Sequence, residues 1–343
     1  MTTVVVDPER LTDWVGDRLP GAGLLRLERM GEATGVANAL FFVSRADDAT
    51  AQRWVLRRPP AVVNAPGASD ILREWRLLTA LEGTPVPHPR PLLLGDDVEV
   101  IGAPFLIMEV VDGFTPVGVL PAPYDRPEHR RALSFAMVDA IADLSAVDWR
   151  ARGLQGLGRP ENFLERQVGR WLHQLDLYRT RDIPLLERVA DWLEANRPVM
   201  GEVGIMHGDY SPYNVMASPT DPTRLAAVVD WDTGTVGDPL LDIGHLMARW
   251  TEPGEESALP LEIDPGSRAG LPRRAELAAR YAERTGRDLG AIRYYEVLSL
   301  FKLAIILEGG VRRAAGDAEA GARAATVDRL IRFGDLFARG ERT

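Results

Sequence analysis

Two aspartates, each delivered at the end of a short apolar run and separated by a turn, constrain this chain more than anything else in it. Val203, Ile205 and Met206 lead into His207-Gly208-Asp209-Tyr210-Ser211-Pro212-Tyr213-Asn214. After a turn marked by Pro219, Asp221 and Pro222, a second run from Leu225 to Val229 ends in Asp230-Trp231-Asp232. A lone His-Gly-Asp is most simply a turn, and an Asp after a strand is often a turn former or a helix cap. The spaced set of Asp209, Asn214 and Asp230, with both aspartates entered from strands, is much harder to obtain by accident.

Such a set is what phosphoryl transfer from a nucleotide requires. One carboxylate orients a hydroxyl and accepts its proton, while an amide and a second carboxylate hold magnesium against the phosphates. Magnesium prefers hard oxygen donors and keeps several waters, so one Asp and one Asn suffice where phosphate supplies the rest. The pattern implies a kinase-like phosphotransferase.

Composition excludes several alternatives. A chain of 343 residues is too long for one small core and suits two lobes. Its 45% hydrophobic and 26% charged residues are those of an ordinary globular protein. No stretch approaches the roughly 20 apolar residues that span a bilayer. Met1 to Arg10 shows no basic region leading into an apolar core, so no secretory signal is expected and a cytoplasmic location is. The absence of cysteine rules out disulfides, thiolate metal sites and a cysteine nucleophile. A net charge of −10 argues against nucleic acid as a partner. Lys302 is the only lysine, so nearly all positive charge is arginine.

Residues 7 to 19 read as a short amphipathic helix closed by Pro20-Gly21. Strands are expected at Leu24 to Met30, Leu40 to Ser44, Arg53 to Arg57, Pro91 to Gly95 and Phe105 to Val111. Ser69 is placed to cap a helix running to Glu82. These elements make a small antiparallel sheet packed with one helix, a first lobe over residues 1–111. A Pro- and Gly-rich linker follows from Asp112 to Pro127. Helices are then expected near 127–148, 161–178, 183–196, 238–250, 271–285, 290–313 and 320–339, giving a helical lobe over 112–343. The fold class is α+β, two-lobed, with the chemistry in the second lobe. Thr251 to Arg268, with Glu252, Glu255, Glu256, Glu262 and Asp264 among prolines, reads as a surface loop.

In a kinase-like fold the third strand carries a cation that grips the nucleotide phosphates, and a helix glutamate pairs with it. Lys302 lies too far downstream to be that cation. Trp54-Val55-Leu56-Arg57 puts Arg57 there, and arginine holds phosphate or carboxylate through two parallel hydrogen bonds. Arg58 would point to the opposite sheet face. On the following helix Ile71, Leu72, Trp75, Leu77, Leu78 and Leu81 form one apolar arc, and Glu74 falls inside it. A core-facing carboxylate needs a cation, which makes Arg57 its natural partner; the alternative leaves Glu74 at the edge of the arc, reaching solvent. The loop Gly31 to Asn38 is placed to lie over phosphates, or is an ordinary hairpin turn. At Phe105 to Gly113 the backbones of Glu109 and Val111 would hold a base with Met108 behind it, in a hinge over about 108–113; a buried strand running into a turn reads the same way.

With these residues located, the chain resembles the aminoglycoside phosphotransferase-like superfamily, which shares the protein-kinase fold. It is most similar there to bacterial phosphotransferases related to the kinase-like domain that precedes some acyl-CoA dehydrogenases. The likeness runs from about Leu24 to near the C-terminus. It rests on Trp54 to Pro60, Arg73-Glu74-Trp75-Arg76, His207-Gly208-Asp209, Asp230-Trp231-Asp232, Gly237 to Asp242, Arg280 to Arg287 and Phe301 to Gly309. The resemblance implies Asp209 as catalytic base, Asn214 and Asp230 as Mg2+ ligands, and ATP or GTP as donor. It implies that His207 shapes the loop, that Asp232 assists the metal indirectly and that Asp242 fixes the loop from its helix. One departure is Ala37-Asn38, where that subgroup often carries Ser-Asn; a hydroxyl that could touch phosphate is missing.

The partner is expected to be a small hydroxylated molecule. A cationic aminoglycoside would want the carboxylates between Glu252 and Asp264, whereas a hydroxyacyl group on coenzyme A would want Arg166, Arg170, Arg179, Arg181, Arg312 and Arg313. Either cluster is also readable as a solvated face. The subgroup likeness favours the acyl or hydroxy-acid class. A nucleotide-binding regulator without catalysis and a protein kinase are the competing classes.

Overall fold

The computed structural model describes residues 6–31, 38–47, 52–60, 70–252, 254–259, 268–314 and 319–341. Most of the loop expected over the phosphates, Ser69, Glu262 and Asp264 lie outside the described residues.

Five strands form one antiparallel sheet in the order β1-β2-β3-β5-β4: β1 Leu25–Arg29, β2 Ala39–Arg45, β3 Arg53–Arg58, β4 Pro91–Gly95 and β5 Phe105–Glu109. Period-two alternation splits its side chains between two cores. Phe41, Val43, Trp54, Leu56, Phe105 and Ile107 pack on one face against Leu11 and Val15 of α1 (Pro8–Val15) and Val100 and Ile101 of α3 (Val98–Ile101). Leu106 and Met108 face the other way, toward Leu77, Leu78 and Leu81 of α2 (Ile71–Leu81). Both faces are therefore covered, which corrects the expectation of a sheet packed with a single helix. The N-terminal amphipathic helix is the second layer, started by Pro8 and capped by the Asp7 carboxylate, which accepts from the N–H of Glu9 at 2.9 Å. The N-cap of α2 is Asp70, which accepts from the N–H of Arg73 at 3.1 Å.

After β5 the segment through Gly113 runs beside a strand pair made of residues 215–217 and 225–228. Phe114 and Ala217 exchange backbone hydrogen bonds at 3.2 and 2.8 Å. A Cβ on Gly113 would sit 2.8 Å from the carbonyl oxygen of Ala217, so only glycine permits this approach. Strand β6 (Gly204–Met206) pairs with β9 (Thr235–Gly237), and β7 (Val215–Ala217) with β8 (Leu225–Val228). The helices around them are α4 Pro127–Ala146, α5 Gln167–Asp176, α6 Leu186–Ala195, α7 Leu240–Arg249, α8 Arg274–Thr285, α9 Ile292–Arg313 and α10 Ala320–Ala338. The helices expected at 161–178 and 183–196 begin later, because residues 161–166 and 184–185 are taken up by turns. Central α9 buries Tyr295, Leu298, Phe301 and Ile305. Among the described residues no helix is long and apolar enough to cross a membrane.

Candidate active site

The pairing of β7 with β8 brings the predicted residues together. Val215 lies opposite Val228, so Asn214, one residue before, meets Val229, one residue after; the N–H of Val229 donates to the carbonyl of Asn214 at 2.9 Å. Asp230 is next in the chain and adopts a left-handed backbone, φ 62° and ψ 65°. A non-glycine residue held there is strained, and such strain gathers at functional positions.

The loop carrying Asp209 is fixed from below. Both carboxylate oxygens of Asp242 on α7 accept backbone hydrogen bonds, from His207 at 2.6 Å and Gly208 at 2.8 Å. Burial pushes the Asp242 carboxyl upward, and its contacts with His207 and Gly208 oppose that. His207 is fully buried between Tyr210 and Trp231. Its Nε2 donates to the carbonyl of Val229 at 2.9 Å, which leaves Nδ1 to accept from the N–H of Asp209 at 3.3 Å. Gly208 turns with φ 84°, and a Cβ there would meet the carbonyl oxygen of Thr233 at 2.7 Å. His207 and Asp242 thus shape the loop in the way expected of them.

Asp209 itself is partly exposed, 43% for the side chain. The Asn214 Nδ2 donates to its carbonyl at 2.8 Å and to Oδ2 at 3.2 Å. His245 Nε2 stands 3.2 Å from Oδ1. Burial alone would raise the Asp209 carboxyl, but His245, Lys302 and Arg249 outweigh it and hold the group well below the usual carboxylate range. It is ionised at neutral pH. Neither His245 nor Arg249 stands out in the sequence, and Lys302 stands out there only as the sole lysine. His245 lies one helical turn beyond Asp242, a spacing that could have flagged it. Lys302 sits in the middle of α9, and its Nζ donates to the carbonyl of Gly208.

On β3, Arg57 is the hub. Its Nε lies 2.8 Å from Glu74 Oε2, and its Nη2 donates to Asp230 Oδ1 at 2.8 Å and Asp232 Oδ1 at 2.5 Å. The Nε contact with Glu74 is a close ion pair that is not aligned as a hydrogen bond. Arg57 and Glu74 are 7% and 3% exposed, so Glu74 faces the core and not solvent. Burial works against the arginine's charge, and three carboxylates overcome it. Glu74 fares differently: burial pushes its carboxyl up to about 7, with Asp232 and Asp230 adding to the rise and Arg57 opposing it. The two results agree physically, because one cation shared by three anions is strongly held while each anion receives only part of it. Arg58 points to the other face and donates to the carbonyl of Ile101 at 2.9 Å. Asn38 Nδ2 donates to Asp232 Oδ2 at 2.6 Å, so the start of β2 is tied to the same carboxylate.

Glu109 ends β5, where its backbone N–H donates to the carbonyl of Arg90 at 3.0 Å, so any base contact from Glu109 must use its carbonyl. Its side chain pairs with Arg90 at the surface. Val111 follows it into the segment that leads to Phe114.

Residues 33–295 match the family model described as phosphotransferase enzyme family, APH. The chain belongs to this family. Acyl-CoA dehydrogenase family member 11 of Rattus norvegicus is 32% identical over 320 residues, covering 88% of this chain and 39% of that protein. Acyl-CoA dehydrogenase family member 10 of Mus musculus is 30% identical over 282 residues, covering 81% and 26%. The chain therefore spans two fifths or less of these relatives. Among solved structures, a "putative aminoglycoside phosphotransferase" of Ralstonia eutropha superposes with a TM-score of 0.78 at 31% identity, covering 98% of this chain and 99% of that one. A choline kinase of Cryptosporidium parvum gives 0.66 at 13% identity over 97% of each chain, a likeness of fold alone. The fold is kinase-like and the chain is a phosphotransferase by family.

Proposed function

We propose that the protein transfers the γ-phosphate of ATP or GTP to a hydroxyl of a small metabolite that also carries an anionic group, a hydroxy acid or hydroxyacyl compound. The observation that carries the reaction type is the convergence of an ionised, oriented Asp209 with Asn214, Asp230 and the Arg57–Glu74 pair in one connected cluster. Asp209 would orient the acceptor hydroxyl and take its proton as the oxygen attacks phosphorus. Arg57 would hold the phosphates, its charge secured by three carboxylates. The donor set fits magnesium: Asn214 has its NH2 turned to Asp209, which leaves Oδ1 for a cation, and Asp230 is 49% exposed with hard oxygens. When bound, magnesium would neutralise phosphate charge as it develops. Asn38 and the backbones of Glu109 and Val111 remain the proposed contacts to the rest of the nucleotide.

For the acceptor, charge favours the anionic class. Glu252 and Glu255 pair with Arg274, and Glu256 pairs with Arg332, so these carboxylates are engaged away from Asp209. Lys302 and Arg249 both act electrostatically on Asp209, and Arg170 acts on Lys302. Of the other arginines considered, Arg181 is held by Glu308 and Asp328, Arg179 by Asp182, Arg312 by the carbonyl of Leu177 and Arg166 by those of Glu161 and Arg159. The names of the acyl-CoA dehydrogenase relatives agree with an acyl-type acceptor. The test is a panel of hydroxylated acids, hydroxyacyl thioesters and aminoglycosides with coupled detection of ADP or GDP, with and without magnesium. Turnover with the anionic compounds supports the reading; turnover confined to aminoglycosides overturns the acceptor class, and no turnover with any nucleotide favours a non-catalytic regulator.

A further inference from the structure

Helix α7 reaches the catalytic loop at two levels. Asp242 holds the backbone of His207 and Gly208, and His245, one turn later, approaches the side chain of Asp209. We propose that His245 is a positioning residue for Asp209, and that its Nε2 is where Asp209 and Arg249 compete. The same nitrogen lies 3.2 Å from Asp209 Oδ1 and 3.0 Å from Arg249 Nη1. A ring nitrogen carries either a proton or a lone pair, so Nε2 donates to Asp209 or accepts from Arg249, never both at once. The ring is 3% exposed. Burial drives its pKa down to about 4 against the pull of Asp209, so the imidazole is neutral at pH 7 and the choice is between tautomers.

With the proton on Nε2, the two carboxylate oxygens of Asp209 are each held, Oδ1 by His245 and Oδ2 by Asn214. The carboxylate plane is then fixed toward an acceptor hydroxyl. With the proton on Nδ1, Oδ1 loses its donor and the plane can swing. Arg249 also lines a small cavity beside the loop with Pro212, Trp250, Ser257 and Arg268. An acceptor whose anionic group enters that cavity draws the guanidinium from Nε2 and leaves the ring to donate to Asp209. Occupancy of that cavity is thereby coupled to orientation of the base. This rests on the reading of Asp209 as base.

The experiment is long-range proton–nitrogen NMR on the full chain at pH 7, its five histidines assigned by single substitutions. Asp209→Ala should move His245 toward the Nδ1–H tautomer and Arg249→Ala toward Nε2–H. A tautomer that neither substitution shifts overturns the inference. In steady-state hydrolysis of MgATP with water as acceptor, His245→Leu should lower kcat about 10- to 100-fold, the scale of loss when a reacting group is misplaced by about 1 Å, with KM for ATP unchanged. His245→Gln, which keeps an N–H donor, should recover to within about five-fold. Folded His245→Leu with wild-type kcat also overturns it; should that variant fail to fold, the tautomer shifts decide. If Asp209→Asn keeps full turnover, the base reading itself falls. If Asp209→Asn is inactive and the tautomer is unmoved, only the role of His245 falls.

Discussion

Replacing Arg57 with alanine tests the hub of this charged cluster. The substitution removes one buried cation from three carboxylates whose exposure rises from 3% for Glu74 through 24% for Asp232 to 49% for Asp230. The half-exposed Asp230 is solvated without help, and Asp232 contributes at most about 1 kcal/mol at that exposure. Glu74 dominates, and breaking a buried pair costs about 3–5 kcal/mol. With an unfolding entropy of about 2.1 cal/mol/K per residue, the whole chain has about 0.7 kcal/mol/K, so the melting temperature should fall by about 4–7 °C. The loss should depend on pH, because without Arg57 the Glu74 carboxyl can take up a proton in place of standing as an isolated charge. Calorimetric scans at pH 6 and pH 8.5 should show a larger deficit at the higher pH. Arg58→Ala, which removes a hydrogen bond to Ile101 on the opposite sheet face, should cost about 0.5–3 kcal/mol and leave nucleotide affinity within two-fold. A melting temperature for Arg57→Ala within 1 °C of wild type at both pH values, or Arg58→Ala as the variant that loses nucleotide, would refute the assignment of the pair.

Asp230→Ala should abolish magnesium-dependent enhancement of nucleotide binding in titration calorimetry, and Asn214→Ala should weaken it less, since an amide carries no net charge. Glu74→Gln should change the pH dependence of stability. The folded-state carboxyl is raised from its ordinary 4.5 to about 7, so the native state binds the extra proton in that window and the stability that Glu74 contributes falls as pH rises through it. The melting-temperature difference between Glu74→Gln and wild type should therefore move in favour of the variant from pH 4.5 to 7, and a flat difference would contradict the raised carboxyl. Asp242→Asn should lower kcat and stability together, because a single amide oxygen cannot accept from both His207 and Gly208 in the geometry of a carboxylate; measured kcat equal to wild type would show that the loop holds itself.

Local periodicity made much of this readable in the sequence. Alternation along β3 separates Leu56 and Arg58 from Val55 and Arg57, and the 3.6-residue period turns Glu74 into the apolar arc, so the Arg57–Glu74 pair followed from two independent rhythms. Asp209, Asn214 and Asp230 were readable because two short strands and a turn fix them within one segment. The donors around Asp209 were not, since His245, Arg249 and Lys302 reach the loop only when α7 and α9 pack together, and no local period encodes that. The sole lysine, set aside as too distant for the β3 role, lies against Gly208 for this reason. The partners of the acidic run after Trp250 were equally out of local reach: Glu255 finds Arg274 nineteen positions on, and Glu256 finds Arg332 on α10. Beside them, Asp70 took the cap expected at Ser69, a one-residue difference between two good capping types.

The central claim is that Asp209 acts on the acceptor and not on the nucleotide. The most direct measurement is Asp209→Asn in two assays on the same preparation, ADP release during turnover and calorimetric binding of a non-hydrolysable ATP analogue with magnesium. Turnover should fall by about 10²–10⁴-fold, the span typical of a general base, while affinity stays within a few-fold of wild type. Wild-type turnover in the variant, or loss of nucleotide binding in step with loss of activity, would contradict the role assigned to this carboxylate.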